Sequence, residues 1–402
     1  MQVGYESADV AGRTSGAVNG AFGPGEALSR LLSGTGLTYR FTAPTAVRLE
    51  PAPLADAGTV QLGPVRVEGD GRATGSVHSG RYAGIEETGT GPVDGYIARR
   101  SATATKTDTP IIETPQSVSV VSADRIEAIG ANRIGDALAY TPGIKAINGY
   151  DTRYDWVMLR GFDAYSPGFY LDGLQLRNSA NYAVWRTETY GAERVELLRG
   201  PASVLYGQNG PGGVINVVSK RPLSEPLHEI QAQIGNFSRY QIASDFGGPI
   251  GNDDRWSYRL TGLALDSDTQ VDHVSDNRIY IAPAVTWRPS GNTSLTVLGH
   301  FQRLRSGTSS VFLPLAGTLL PNPNGPIRPS TFTGEPDFDR FNQDQWTLGY
   351  LFEHRFGETW TIRQNARYGE LKSDFRQVYG TSFLTVDEAD PASAANYRIL
   401  DR

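Results

Sequence analysis

The chain has 402 residues, a formal charge of −6 and no cysteine, with 46 glycines, 24 prolines, 15 Phe, 6 Trp and 19 Tyr. The acidic balance excludes the basic footprint of nucleic-acid binding, and the missing cysteine excludes disulfides, thiolate metal sites and cysteine nucleophiles. Frequent Gly and Pro argue against a mainly helical protein, and no apolar run approaches the roughly 18 residues of a membrane helix, a test that membrane β-barrels escape.

Residues 1–55 read as a small globular piece. Met1 to Ser7 has neither the charged nor the apolar region of a signal peptide. Ala27, Leu28, Leu31 and Leu32 fall at helical spacing, Gly34-Thr35-Gly36 ends that helix, and Leu37, Tyr39 and Phe41 alternate as in a half-buried strand. Residues 56–95 have the Pro, Gly, Ser and Thr content of a linker. Within it, Thr59 to Glu68 places Val60, Leu62, Val65 and Val67 at extended-chain spacing. Two readings stand: a peptide that docks on a partner by strand addition, or the last edge strand of the first domain.

Residues 96–222 read as a mixed α/β domain of ordinary size. Ser117 to Val121 is a strand, Ser122 an N-cap for a helix through Ile129, and Ile134, Ala137 and Leu138 a second helix stopped by Pro142-Gly143. Trp156 to Arg160, Phe169 to Leu171, Val195 to Leu198 and Val214 to Val218 are short strands, with a helical turn at Ser203 to Tyr206.

From Leu227 the texture becomes repetitive. Seven long segments alternate, among them Trp256, Tyr258 and Leu260 against Ser257, Arg259 and Thr261, and Trp360, Ile362, Ala366 and Tyr368 against Thr361, Arg363, Asn365 and Arg367. Each approaches the roughly 9–11 residues of a tilted membrane strand, with aromatics near its ends. Tight turns such as Pro289 to Asn292 alternate with long loops such as Arg305 to Asp344, as in outer-membrane barrels. A soluble β-sandwich also alternates, with shorter strands.

Enzyme chemistry finds little support. The histidines (His78, His228, His273, His300 and His354) lack metal-ligand spacing, and Gly207 to Gly213 lacks the Lys-Ser/Thr of a phosphate loop.

The domain at 96–222 carries ordered motifs: Thr105-Lys-Thr-Asp-Thr-Pro-Ile-Ile-Glu-Thr-Pro-Gln-Ser-Val-Ser-Val120, Asp136-Ala-Leu-Ala-Tyr-Thr-Pro-Gly143, Leu159-Arg-Gly-Phe162, Tyr170-Leu-Asp-Gly173, Glu193-Arg-Val-Glu-Leu-Leu-Arg-Gly-Pro-Ala-Ser-Val-Leu-Tyr-Gly207 and Gly212-Gly-Val-Ile-Asn-Val-Val-Ser-Lys-Arg-Pro222. These resemble the plug of TonB-dependent siderophore receptors. Ala27 to Leu37 is similar to the second half of the secretin/TonB short signalling domain. Pro321 to Gly325, Thr333 to Phe338, Gln345 to Tyr350 and Ile362 to Tyr368 resemble loops and strands of ferric-hydroxamate receptors of the ferrichrome and ferrioxamine type.

The resemblance implies a β-rich fold: a partial α/β signalling domain (1–55), a linker with a candidate TonB box (56–95), an α/β plug (96–222), and the opening strands (223–402) of a barrel of about 22 antiparallel strands. It implies a chain truncated at both ends, so that the missing signal peptide reflects truncation. The implied function is uptake of a ferric siderophore across the outer membrane of a Gram-negative bacterium. TonB and its inner-membrane energising complex would pull the segment at Val60, Leu62, Val65 and Val67. The signalling domain implies an anti-sigma regulator as a second partner, besides outer-membrane lipid.

No cofactor or resident metal is expected, because the siderophore already saturates its iron. What such a site needs is aromatic walls and a few polar donors. The candidates are Tyr150, Arg153, Asn181, Tyr182 and Trp185 in plug loops and Phe312 and Tyr379 beyond the plug, with Tyr182 at the family's apical tyrosine. Ser310 departs from the tyrosine of the hydroxamate receptors, which leaves the siderophore unnamed. Arg160 and Arg199 match arginines that lock the plug to barrel glutamates, here expected beyond Arg402.

Overall fold

The computed structural model describes residues 2–5, 12, 14–18, 20, 24–43, 46–51, 82, 85–146, 151, 153, 155–164, 168–178, 183–251, 255–308, 313, 315, 317–321, 325–382 and 399–401. The chain divides into two compact units, Met1–Gly75 and Ser76–Arg402. The segment Thr59 to Glu68, with Val60, Leu62, Val65 and Val67, lies outside the described residues.

In the first unit, β1 (Gln2–Gly4), α1 (Pro24–Leu32), β2 (Leu37–Ala43) and β3 (Ala46–Pro51) follow in order. The sheet order is β1-β3-β2, with β1 parallel and β2 antiparallel to β3. Leu28, Leu37 and Val47 supply its buried apolar side chains.

The second unit opens with an α/β domain. Its elements are β4 (Ser117–Ser122), α2 (Ala123–Ala128), α3 (Ile134–Ala137), β5 (Ile144–Ala146), β6 (Val157–Leu159), β7 (Phe162–Asp163), β8 (Phe169–Leu171), β9 (Leu174–Gln175), β10 (Ala192–Arg199), α4 (Ser203–Tyr206) and β11 (Gly213–Ser219). A five-stranded sheet runs β9-β8-β11-β10-β4, and β5, β6 and β7 form a second small sheet. The Ser122 hydroxyl caps α2 by accepting from the Arg125 amide at 3.3 Å and donates to the Gly95 carbonyl at 2.7 Å. Asp172 (φ 50°) and Gly173 (φ 77°) are the two residues between the paired Leu171 and Leu174, the positive φ pair of a type I′ hairpin. β10 and β11 are central strands buried almost throughout, which is why Val195, Leu197, Ile215 and Val217 form one apolar cluster with Ile126, Ile134 and Leu138 from the helices.

From Leu227 to Arg376 the strands form one antiparallel meander: β12 (Leu227–Gly235), β13 (Arg239–Pro249), β14 (Trp256–Asp266), β15 (Asp276–Ser290), β16 (Thr293–Ser306), β17 (Arg340–Phe356) and β18 (Trp360–Arg376), paired in sequence order. These are the seven alternating segments expected from the sequence. One face carries Ile230, Leu260, Ile281, Val297, Leu348 and Ile362, all exposed. The opposite face carries Asp245, Arg259, Arg278, Gln343 and Gln345, all buried against the α/β domain. Trp256 pairs with Trp287 at the strand ends, their rings stacked with centroids 5.9 Å apart. An apolar outer face with aromatics at its margin, and a polar inner face, is the patterning of a membrane barrel wall. Among the described residues no helix is long and apolar enough to cross a membrane.

Candidate functional site

The contact between the α/β domain and the inner face of the seven-stranded sheet is polar, and its charges are gathered in buried clusters. Such charges persist only with partners. In the first cluster the Arg259 guanidinium on β14 meets Asp245 on β13 twice, Nε to Oδ1 at 2.9 Å and Nη2 to Oδ2 at 2.7 Å. Its Nη1 donates to Glu193 Oε2 on β10 at 2.7 Å, and its Nη2 to the Tyr82 hydroxyl at 3.0 Å. Lys220, one residue beyond β11, completes the group with Nζ 2.8 Å from Asp245 Oδ2. Burial lowers the Lys220 pKa although Asp245 pulls it upward. Burial, with Glu193 nearby, pushes the Tyr82 hydroxyl pKa far up, so this side chain stays neutral.

A second cluster joins Arg278 on β15 to Glu188 at 2.7 Å and to Asp276 at 3.3 Å, with Arg186 3.7 Å from the same Asp276 oxygen. Gln345 on β17 imitates a strand edge: its Oε1 accepts from the Arg186 amide at 3.1 Å and its Nε2 donates to the Arg186 carbonyl at 2.6 Å. On β18, Arg367 donates to the carbonyls of Leu171 and Leu174 at 2.8 and 3.1 Å. A cavity of about 520 Å³ lies between α2 and the inner face, lined in part by Glu188, Lys220, Gln231 and Gln233.

Two glycines allow the close approach. A Cβ at Gly191 would run into the Tyr280 hydroxyl of β15, and one at Gly369 of β18 would lie 2.9 Å from Trp185 Cη2. Glycine is required there for space rather than for its dihedral freedom.

The domain's own amino-terminal segment is stapled from within. Arg194 on β10, fully buried, donates to the carbonyls of Thr88, Gly91 and Arg100. Glu196 accepts from Ser101 Oγ at 2.9 Å and from Thr103 Oγ1. Burial raises the Glu196 pKa against the opposing pull of Arg194.

The residues expected to hold ligand are partly placed. Trp185 packs between the domain core and β18. Arg153 is buried, forked onto Asp151 with Nη2 2.6 Å from Oδ2, and 5.4 Å from the Phe375 ring of β18. Tyr379 begins a short ribbon, Tyr379–Ser382, paired with Ile399–Asp401. Tyr150, Asn181, Tyr182 and Phe312 lie outside the described residues. Arg160 and Arg199 are neighbours across Gly143, whose added Cβ would lie 3.6 Å from Arg160 Cγ and 4.0 Å from Arg199 Nε. Arg199 donates to the Pro142 carbonyl at 3.0 Å and to Ser119 Oγ at 2.8 Å. Partial burial and the nearby Arg160 charge lower the Arg199 pKa. Among the described residues neither arginine forms an ion pair.

Sequence reasoning missed Tyr82, Arg259, Asp245, Glu193 and Lys220. The available signal was the charge at inward positions of otherwise apolar alternating strands, Asp245 and Arg259.

The family model for the TonB-dependent receptor plug domain matches residues 110–214, and that for the secretin and TonB N terminus short domain matches residues 1–52. The ferrichrome outer membrane transporter/phage receptor of Escherichia coli K12 is 42% identical over 313 residues, covering 77% of this chain and 41% of that protein. The ferrioxamine B receptor of Salmonella typhimurium SL1344 is 36% identical over 284 residues, covering 70% of this chain and 40% of that protein. The chain therefore spans about two fifths of the length of these relatives. Among solved structures, the ferripyoverdine receptor of the Pseudomonas aeruginosa outer membrane, bound to ferripyoverdine, superposes with a TM-score of 0.63 at 23% identity. It covers 95% of this chain and 46% of that one.

Proposed function

This chain belongs to the TonB-dependent receptors of the Gram-negative outer membrane, and from that membership we propose that it forms part of a receptor and transporter for a ferric siderophore of the hydroxamate type. The observation that carries the reading is the α/β domain seated on the inner face of a barrel-like sheet through buried polar clusters. Interfaces rich in ion pairs and hydrogen bonds resemble those that come apart, whereas large apolar ones do not. A plug that must let cargo pass needs the first kind.

The hydroxamate assignment rests on the relatives, whose names state ferrichrome and ferrioxamine. In this reading the plug occupies residues 96–222, the linker 56–95 and the barrel 223–402, and Thr59 to Glu68 pairs with TonB as an added strand. Tyr182, Tyr379, Phe312, Tyr150 and Asn181 contact the siderophore. Trp185, partly buried against the plug core, and Arg153, forked onto Asp151, line the same site. Arg160 and Arg199 lock the plug to carboxylates of the barrel, and residues 1–55 pass the occupied state to an anti-sigma regulator.

The test uses the full-length receptor. Deleting residues 59–68 is expected to abolish uptake of ferric hydroxamate while leaving its binding intact; undiminished uptake would overturn the coupling. Fluorescence titration with ferric hydroxamates and catecholates checks the cargo, and tighter binding of the catecholates would overturn the hydroxamate assignment.

A further inference from the structure

We infer that Tyr82 is a mechanical stop, a positioning residue that holds tension from the linker on the barrel wall until it releases and hands the load to the plug. This deepens the transport reading and rests on it for its biological purpose.

Tyr82 is 1% exposed although it stands close to the start of the second unit. Its hydroxyl accepts from Arg259 Nη2 at 3.0 Å, and Arg259 belongs to a barrel strand. The next anchors along the chain fasten elsewhere. Thr88 and Gly91 accept from Arg194, and Gly95 donates to Asp124, so these linker residues fasten on the plug. Among the described residues of the second unit, a pull applied upstream of residue 82 therefore meets the barrel first and the plug second.

The chemistry suits a contact made to break. Arg259 keeps three charged hydrogen bonds, two to Asp245 and one to Glu193, when the Tyr82 hydroxyl leaves. No buried charge is stranded by that release, whereas removing Asp245 or Glu193 would strand one. Among the described residues, Tyr82 is thus the one neutral side chain on the Arg259 fork. Three groups, Asp245, Glu193 and Lys220, hold that fork in place with side chains 3% exposed or less.

The experiment compares the wild-type full-length receptor with Tyr82→Phe, which keeps the ring and loses the hydroxyl. Amides of residues 85–91 are expected to exchange roughly tenfold faster in the variant, as for loss of one hydrogen bond to a charged donor. Exchange in β10, β11, β13 and β14 should stay as in wild type. Drawing the linker with a force probe attached within residues 59–68 should give a first rupture at lower force in the variant. Ferric hydroxamate affinity should be unchanged. Wild-type exchange together with a wild-type first rupture would overturn the assignment. So would accelerated exchange spread through the whole plug, which marks ordinary destabilisation. Tyr82→Leu, which also removes the aromatic ring, should lower the rupture force at least as far. Neither readout needs the energising partner or transport, so a receptor that fails to take up siderophore would sink the functional reading while leaving this one to stand or fall alone.

Discussion

Lys106 shows how burial sets chemistry at a single residue. It takes the left-handed conformation, φ 59°, uncommon for a long side chain. That places its ammonium 3.4 Å above the Tyr206 ring and 3.2 Å from the Gly173 carbonyl. Neither partner carries a compensating charge, and burial lowers its pKa to about 8. The free amine is then abundant above pH 8, while in the unfolded chain it appears only near the ordinary lysine value of about 10.4. Acylation of the folded receptor, followed by peptide mass spectrometry, should show Lys106 labelling with a midpoint near 8. A midpoint at the ordinary lysine value would contradict the burial argument. Between these values the unfolded state holds a proton that the native state lacks, so this site's contribution to stability grows as pH rises through that window. None of this was legible in the sequence. Lys106 was readable as part of a motif, but its neighbour Tyr206 lies a hundred positions away, and the Gly173 carbonyl comes from a third segment.

Strands were far more legible, because a single physical rule selects their outer face. Lipid rejects charge, so Trp256, Tyr258, Leu260 and Ala264 alternate with polar residues and disclose the strand without knowledge of its neighbours. The inner face obeys no such rule. Arg259 is paired with groups brought by residues 82, 193 and 245, and only the assembled fold reveals that they converge. Short plug strands sat between these extremes: β10 and β11 show apolar runs, yet the buried Glu193, Arg194 and Glu196 of β10 have partners that spacing does not indicate. The strand register yields a depth-dependent expectation. Leu260 lies in mid-strand and pairs with Pro283, whereas Trp256 lies at the strand end beside Trp287. Leu260→Arg in the full-length receptor should cost about 2–4 kcal/mol and Trp256→Arg about 0–1 kcal/mol, by analogy with midplane and interfacial positions of membrane barrels. Equilibrium folding into bilayers measures both. Equal costs at the two sites would mean that the face is not lipid-bound in the orientation that the strand register implies.

At the scale of the whole molecule, the seated plug favours the proposed gated receptor over a passive channel. A barrel of about 22 strands encloses a lumen wide enough to conduct unless something fills it. Here the filling is a folded domain with its own apolar core, held to the wall at Arg259, Arg278, Gln345 and Arg367 on four strands of the sheet, β14, β15, β17 and β18. Attachments spread over several strands make the plug an obstruction rather than a tethered lid, since loss of one contact leaves the others in place. Full-length receptor in a planar bilayer should therefore show little steady conductance. Removing residues 82–222 while keeping the strands should give steady, porin-sized currents, and Arg259→Gln alone should not. That single substitution leaves Asp245 with Lys220, and the plug with its bonds to β15, β17 and β18. Intact receptor conducting as freely as the plug-deleted form would overturn the gated reading, because a lumen already open has no use for a plug or for a partner that pulls on it.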